Sequence, residues 1–263
     1  MSNALLLIVP EDKIKKEEVI PENEKWTDTA IRYAAKAAPV LLGRSPLGIL
    51  GVGAWELYEA FDEWNKNRGA KFSKLTRTQA VHLQFPPGHS QEGVLYAQHP
   101  TQHDKYFPCA SFHRFVFEHK FAEAIRILTA LGATRLKVEH VTGWKRDFGA
   151  NIQAPVEGVD TSASAGVSST QGNSLMYEAE YEGHTNPELP DDIAWYSHEP
   201  TWQSTAEGRI KYKLKKFNLV LSYTEDYGVN ADLAVKAEKL NISLGGKFGA
   251  HTSTVWRLEG EFL

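Results

Sequence analysis

Apolar residues recur along this chain with two different periods, and each period predicts a different element. From Phe112 to Leu131 they follow helical spacing, and Gly132 comes next as a candidate C-cap, so this stretch predicts a long helix. Thr134 to Val141 then alternates apolar and polar side chains, which is typical of a half-buried strand. An earlier alternation at Gly93 to Gln98 predicts another strand. A long helix between strands predicts an α+β core.

The region before this core predicts a short strand followed by helices. The apolar run Ala4 to Val9 is too short for more than one strand, and it lacks the basic segment and cleavage site of a signal peptide. Helical periodicity from Trp26 to Asn67 is broken around Gly43 to Pro46, which predicts two helices, the second from Leu47 to Trp64. This pair either packs on the core or lies on a membrane surface.

The pattern also predicts the connections and the domain organisation. Residues 66–79 are basic and polar and predict a surface loop, after which Ala80 to Phe85 predicts a strand that ends at a Pro-Pro-Gly turn. We therefore expect residues 1–69 to form an N-terminal strand and helical extension, and residues 70–263 to form the α+β core.

Two long stretches in the C-terminal half alternate over more residues than an ordinary strand needs. Residues 147–182 alternate on both sides of a small, hydroxyl-rich segment, and they predict a long amphipathic hairpin. Residues 217–248 predict a second hairpin, with a phase shift at Glu238-Lys239; a helix from Asn230 to Leu240 is the competing interpretation. A last strand is predicted from Thr252 to Phe262.

Strands that cross a bilayer need about 9–11 residues, one apolar face and paired backbone groups, and both stretches meet the first two conditions. The alternative is an ordinary antiparallel sheet with one solvated face. If the stretches insert into lipid, their apolar faces supply the inserting residues. These candidates are Phe148, Ile152, Val156, Val159, Val167, Leu219, Leu221, Val229, Leu233, Val235, Leu240, Ile242 and Leu244.

Composition narrows the class of partner. The net charge is −4, so no overall basic field attracts nucleic acid or an anionic membrane, and we expect no nucleic-acid partner. Cys109 is the single cysteine, which excludes an intramolecular disulfide and fits a reducing, cytoplasmic compartment.

In layout, residues 80–262 resemble gasdermin-like and perforin-like pore-forming proteins, in which a twisted α+β core presents two long β-hairpin segments. The perforin-type aromatic-Gly-Thr-His signature is absent, so no functional residue is carried over. The resemblance implies a toxin or defence effector that is cytoplasmic while soluble and forms a homo-oligomer on membrane lipid. It also implies a regulatory or inhibitory protein partner.

Signs of catalysis are sparse. The histidines lack the spacing of a metal site, a buried inert role suits Cys109 better than a nucleophilic one, and we expect no metal and no cofactor. The segment LPDDIAWYSHEPTW holds the best acid/base candidates, His198 and Glu199, although a loop that packs two tryptophans explains it more simply. A pore-forming effector is therefore the leading hypothesis, a self-assembling or interaction protein without catalytic activity is the second, and a hydrolase is the third.

Overall fold

The computed structural model describes residues 4–11, 54–144 and 175–263, and within them the chain is an α+β protein with two open four-stranded sheets. The α+β prediction is confirmed. The strands are β1 (Leu5–Ile8), β2 (Phe72–Leu75), β3 (Leu95–Gln98), β4 (Tyr106–Pro108), β5 (Ala133–Thr142), β6 (Leu175–Glu180), β7 (Lys216–Tyr223) and β8 (Thr254–Phe262). The α-helices are α1 (Ala54–Asn67), α2 (Phe112–Ala130), α3 (Pro200–Tyr212) and α4 (Ala231–Lys239).

The described residues belong to two compact units that interleave along the sequence. The first contains the sheet β2-β1-β3-β4, in which β1 pairs parallel with β2 and antiparallel with β3. Every residue of β1 is buried, as expected for an inner strand that has apolar side chains on both faces. The predicted N-terminal strand is thus confirmed, and it lies in the middle of its sheet.

The second unit is built on the antiparallel sheet β6-β5-β8-β7 and contains α2 and α3. Strand β8 is central, and its residues Trp256 and Leu258 are buried beneath α2 side chains such as Phe117, whose ring meets the Trp256 ring edge-on at 4.7 Å. The opposite face of β8 carries Arg257 and Glu259. One face of this sheet is therefore the core, and the other is charged.

The predicted long helix is confirmed as α2, which is 19 residues long. It ends where expected, because Gly132 adopts φ +84° just after the last turn and its N–H donates to the Thr129 carbonyl. The strands predicted at Gly93 to Gln98, Thr134 to Val141 and Thr252 to Phe262 are also present, with small differences at their ends.

Two local predictions are wrong. The predicted surface loop 66–79 contains β2, because burial beside β1 outweighs the polar composition of that segment. The predicted strand Ala80 to Phe85 is instead a turn, in which the Ala80 N–H donates to the Thr76 carbonyl and the Leu83 N–H donates to the Ala80 carbonyl. The pattern of apolar and polar residues over so few positions does not distinguish a strand from a turn or a loop.

The predicted second hairpin, residues 217–248, is also wrong beyond its first strand. Residues 216–223 form β7, but Ala231–Lys239 is helix α4, so the competing helix interpretation of this stretch is correct. Leu233 and Ala237, four residues apart, are its buried side chains, and the Ile242 N–H donates to the Ala237 carbonyl at its end. The alternating pattern arose because this short amphipathic helix also fits a period of two over part of its length.

Candidate functional site

The proposed membrane-inserting residues divide into two groups, one for each predicted hairpin. Those of the first hairpin, from Phe148 to Val167, lie outside the described residues. Most of the second group face protein rather than solvent. Leu219, Leu221, Val229, Leu233 and Ile242 are buried, Leu240 and Leu244 are partly buried, and Val235 on α4 is 49% exposed. A face of mostly buried side chains contacts lipid only if this part of the chain refolds, so the lipid-facing assignment of this second group stays a prediction.

None of the helices in the described part of the chain combines the length and the apolar character that a bilayer crossing requires. The histidine, cysteine and acidic residues of that part also form no group of three or more that could hold a metal ion. Cys109 is fully buried, and burial raises the pKa of its thiol well above the usual range, so it is an inert core residue.

A row of polar side chains on helix α2 is buried in the second unit, and sequence reasoning did not find it. Glu123 is 5% exposed, and its carboxylate accepts the backbone N–H groups of Ala194, Trp195 and Tyr196 at 2.7, 2.7 and 3.0 Å. These donors begin the 3-10 helix Tyr196–His198. Because the first N–H groups of a helix have no partner within it, a buried carboxylate at this position satisfies all three.

Lys120, one turn before Glu123 on α2, makes a second tie to the same segment. Its ammonium forms a buried ion pair with Glu199, donates to the Ser222 carbonyl at 2.8 Å and lies 5.2 Å from the centre of the Trp195 ring. The Trp195 indole N–H in turn donates to His119 Nδ1 at 3.0 Å. Residues 194–199 are thereby fastened to α2 and to the end of β7.

This arrangement decides between the interpretations of LPDDIAWYSHEPTW. Trp195 and Trp202 are both buried, so they pack into the protein as the loop interpretation predicts. Glu199 is engaged by Lys120, while His198 is exposed. The two acid/base candidates of the hydrolase hypothesis are therefore not brought together in a cleft.

His113, two turns before Lys120 on α2, is buried in an aromatic cluster. Its Nδ1 lies 2.8 Å from the Tyr223 hydroxyl and its Nε2 lies 2.6 Å from the Val229 carbonyl, so Nε2 donates to this carbonyl and, in the neutral ring, Nδ1 accepts from the hydroxyl. Burial lowers the pKa of His113 to about 4, and the neighbouring His251 adds to this effect. Burial also raises the pKa of Tyr223, so neither group is poised for proton transfer near pH 7.

The cavity beside α2 is small. A cavity of about 10 Å³ lies between α2, α3 and β7, and its lining is almost entirely apolar, including Leu128, Trp202 and Leu219. That volume is at the limit for a single water molecule, so it holds no substrate. The buried polar row is best explained as a set of ties that position residues 194–199 and 226–230.

The exposed feature with binding geometry is the outer edge of the second sheet. Strand β7 is an edge strand of eight residues whose register with β8 is unbroken, whereas both pairings of β5 contain a shift. The Lys215 carbonyl faces β8, since it accepts from the Phe262 N–H at 2.8 Å. Backbone groups of an antiparallel strand alternate in direction, so those of Lys216, Asn218 and Val220 point outward.

One end of this edge is closed. The next outward carbonyl is that of Ser222, and it is the group that accepts from Lys120. The hydrogen bond from Lys120 on α2 therefore marks where the unpaired section of this edge ends. For Lys216, Asn218 and Val220, the described part of the chain provides no backbone hydrogen-bond partner on the outer side. We call these outward groups the β7 edge.

The solvent face beside the β7 edge is a shallow groove of about 420 Å³. Its charged walls are paired: Lys216 binds Glu261 at 2.8 Å, and the Asn218 amide donates to Glu259 at 3.1 Å. The Val220 side chain lies on the same solvent-facing side of the sheet as that of Asn218. Val220 is 47% exposed and carries no charge. An unbulged edge with an exposed valine is a template for pairing with another strand.

No protein-family model, no curated protein and no solved structure matches this chain.

Proposed function

We propose that this chain is an interaction protein without catalytic activity, which binds its partner by accepting an additional strand at the β7 edge. The single observation that carries the proposal is the row of outward backbone groups at Lys216, Asn218 and Val220, which ends at the Lys120 tie. In strand addition, backbone hydrogen bonds supply affinity, and alternate side chains supply specificity.

Rigidity of the edge supports this proposal. Phe217, Leu219 and Leu221 are buried on the inner face of β7, and eight residues of β7 pair with β8. An incoming strand therefore meets backbone groups that are already extended and held in register. Such a template spares the ordering cost that a flexible segment incurs on binding.

The pore-forming hypothesis stays a prediction. Its second hairpin is replaced by β7 and helix α4, so it now depends on residues 147–174, most of which lie outside the described residues. The hydrolase hypothesis also stays a prediction, and no observation on the described residues favours it.

Amide exchange with residue resolution tests the proposal. We expect a peptide of about eight residues that alternates valine and threonine to slow exchange of the N–H groups of Lys216, Asn218 and Val220. Exchange at Phe217 and Leu219 should not change, because those N–H groups already face β8. Slowing at both sets or at neither would contradict strand addition at this edge.

The matched variants are Val220→Pro and Val220→Thr. Proline removes an outward N–H and is tolerated on an edge strand, so the fold is retained and binding is lost. Threonine keeps the N–H and the β-branched shape, so binding is retained. Circular dichroism verifies that both variants are folded, and equal peptide binding by the two would refute the role of the edge.

A further inference from the structure

We infer that the strand accepted at the β7 edge is acidic; this inference rests on the proposed function. The chain that leads into β7 reads Lys211-Tyr-Lys-Leu-Lys-Lys216, with four lysines in six residues, although the whole chain has a net charge of −4. All four lysines are exposed. An incoming strand along the edge passes next to this group, which we call the lysine turn (Lys211–Lys216).

Only half of the lysine turn is neutralised within the described residues. Lys211 pairs with Glu207 on α3, and Lys216 pairs with Glu261 on β8, each at 2.8 Å. Lys213 and Lys215 form no ion pair with the residues that the structure describes. These two ammonium groups are the uncompensated charge at the open end of the edge.

The backbone holds the lysine turn in a defined shape. Lys213 caps the C-terminal end of helix α3 in the left-handed conformation, with φ +56°, and the N–H of the next residue, Leu214, donates to the Gly208 carbonyl. The Lys215 carbonyl is fixed by the Phe262 N–H. The ammonium groups of the lysine turn therefore project from an ordered connection next to β7. Tyr212, between Lys211 and Lys213, is 76% exposed.

The simplest alternative partner is a second copy paired edge to edge, and its charges match the edge less well. The open section is centred on Asn218, so a two-fold antiparallel pair places Lys216 of each copy opposite Val220 of the other. That register places Lys215 and Lys216 opposite the uncharged residues Leu221 and Val220 of the other strand, so neither lysine gains an acidic partner within the paired section. Nucleic acid lacks a uniformly basic surface here, because the groove beside the edge is lined by Glu259 and Glu261 as well as by Arg135, Lys137 and Lys216. A strand with its own acidic side chains fits both the edge and the turn.

Three fluorescent peptides of about eight residues test the inference by anisotropy, alternating valine with glutamate, threonine or lysine. We expect the glutamate peptide to bind the whole protein most tightly, about fivefold better than the threonine peptide, and the lysine peptide least tightly. The preference should disappear in about 0.5 M salt, because surface charge pairs are screened. In the double variant Lys213→Gln and Lys215→Gln, glutamate and threonine peptides should bind equally well. Arg257→Gln, on the same sheet, is the control that leaves the preference unchanged.

The outcomes separate the two proposals. Equal binding of all three peptides, abolished by Val220→Pro, would overturn the acidic preference and leave strand addition standing. Binding of the glutamate peptide that survives Val220→Pro would mean attraction to lysines without an added strand, and would overturn both. Tighter binding of a single-stranded oligonucleotide than of any peptide would also overturn the inference. Sedimentation velocity of the unliganded protein that shows a dimer sensitive to Val220→Pro would assign the edge to a second copy instead.

Discussion

The substitution Glu123→Ala is the most direct test of how the structure holds residues 194–199. The carboxylate accepts three backbone N–H groups, and Glu123 is 5% exposed, so its removal leaves three donors in a buried environment. A hydrogen bond to a charged group contributes about 1.5–3 kcal/mol, but the three donors share one acceptor group and the site relaxes. We therefore expect a loss of about 3–5 kcal/mol in the free energy of unfolding.

Glu123→Gln provides an internal scale for this estimate. The amide oxygen can stay at the Oε1 position and accept from Trp195 and Tyr196, while the amide nitrogen faces the Ala194 N–H as a second donor. We expect roughly half the cost of the alanine variant, about 2 kcal/mol. Glu118→Ala is the matched control on the same helix, because its exposed pair with Arg114 contributes at most about 0.5 kcal/mol.

Urea unfolding followed by tryptophan fluorescence measures these differences, and amide exchange locates them. The Ala194, Trp195 and Tyr196 amides should lose more protection in Glu123→Ala than in Glu123→Gln, while Glu118→Ala leaves their protection unchanged. A loss below about 1 kcal/mol for Glu123→Ala, with those amides still protected, would refute the conclusion that this carboxylate fastens the segment.

The remaining predictions concern pH and the two candidate faces of α4. The folded-state pKa of His113 is lowered to about 4 from an unfolded value near 6.5, so the unfolded state binds a proton first as the pH falls. We therefore expect stability to fall by up to about 3 kcal/mol between pH 6.5 and pH 4, and the pH slope in urea unfolding to flatten in His113→Phe; an unchanged slope would contradict the assigned neutral ring. Leu233→Asp should destabilise the protein by at least about 3 kcal/mol, because Leu233 is fully buried, whereas Val235→Asp should cost under about 0.5 kcal/mol. Only Val235→Asp can therefore test lipid contact in a vesicle dye-release assay, and leakage by the native protein that this variant abolishes would support the pore-forming hypothesis.

The sequence by itself determined the elements in which one period dominates over many residues. The helix at Phe112–Ala130 and the strand at Ala133–Thr142 follow from side-chain spacing and from the glycine between them, because both signals are local. The burial of Cys109 was likewise predictable from its apolar neighbours. Where the segment was short, as at Ala80 to Phe85 and Ala231–Lys239, two periods fitted equally well, and neighbours in space decided the outcome.

Only the tertiary structure decided the candidate site. Glu123 meets the N–H groups of residues some seventy positions away, and Lys120 meets the Ser222 carbonyl across about a hundred, so no local pattern signals either contact. The open edge is also a property of strand order. Strand β7 alternates like any half-buried strand, and its outward groups at Lys216, Asn218 and Val220 have no backbone partner because, within the described sheet, β7 is paired on one side alone. Side-chain periodicity records which face of a strand is buried, but backbone groups are identical in every residue, so sequence cannot indicate which edge remains unpaired.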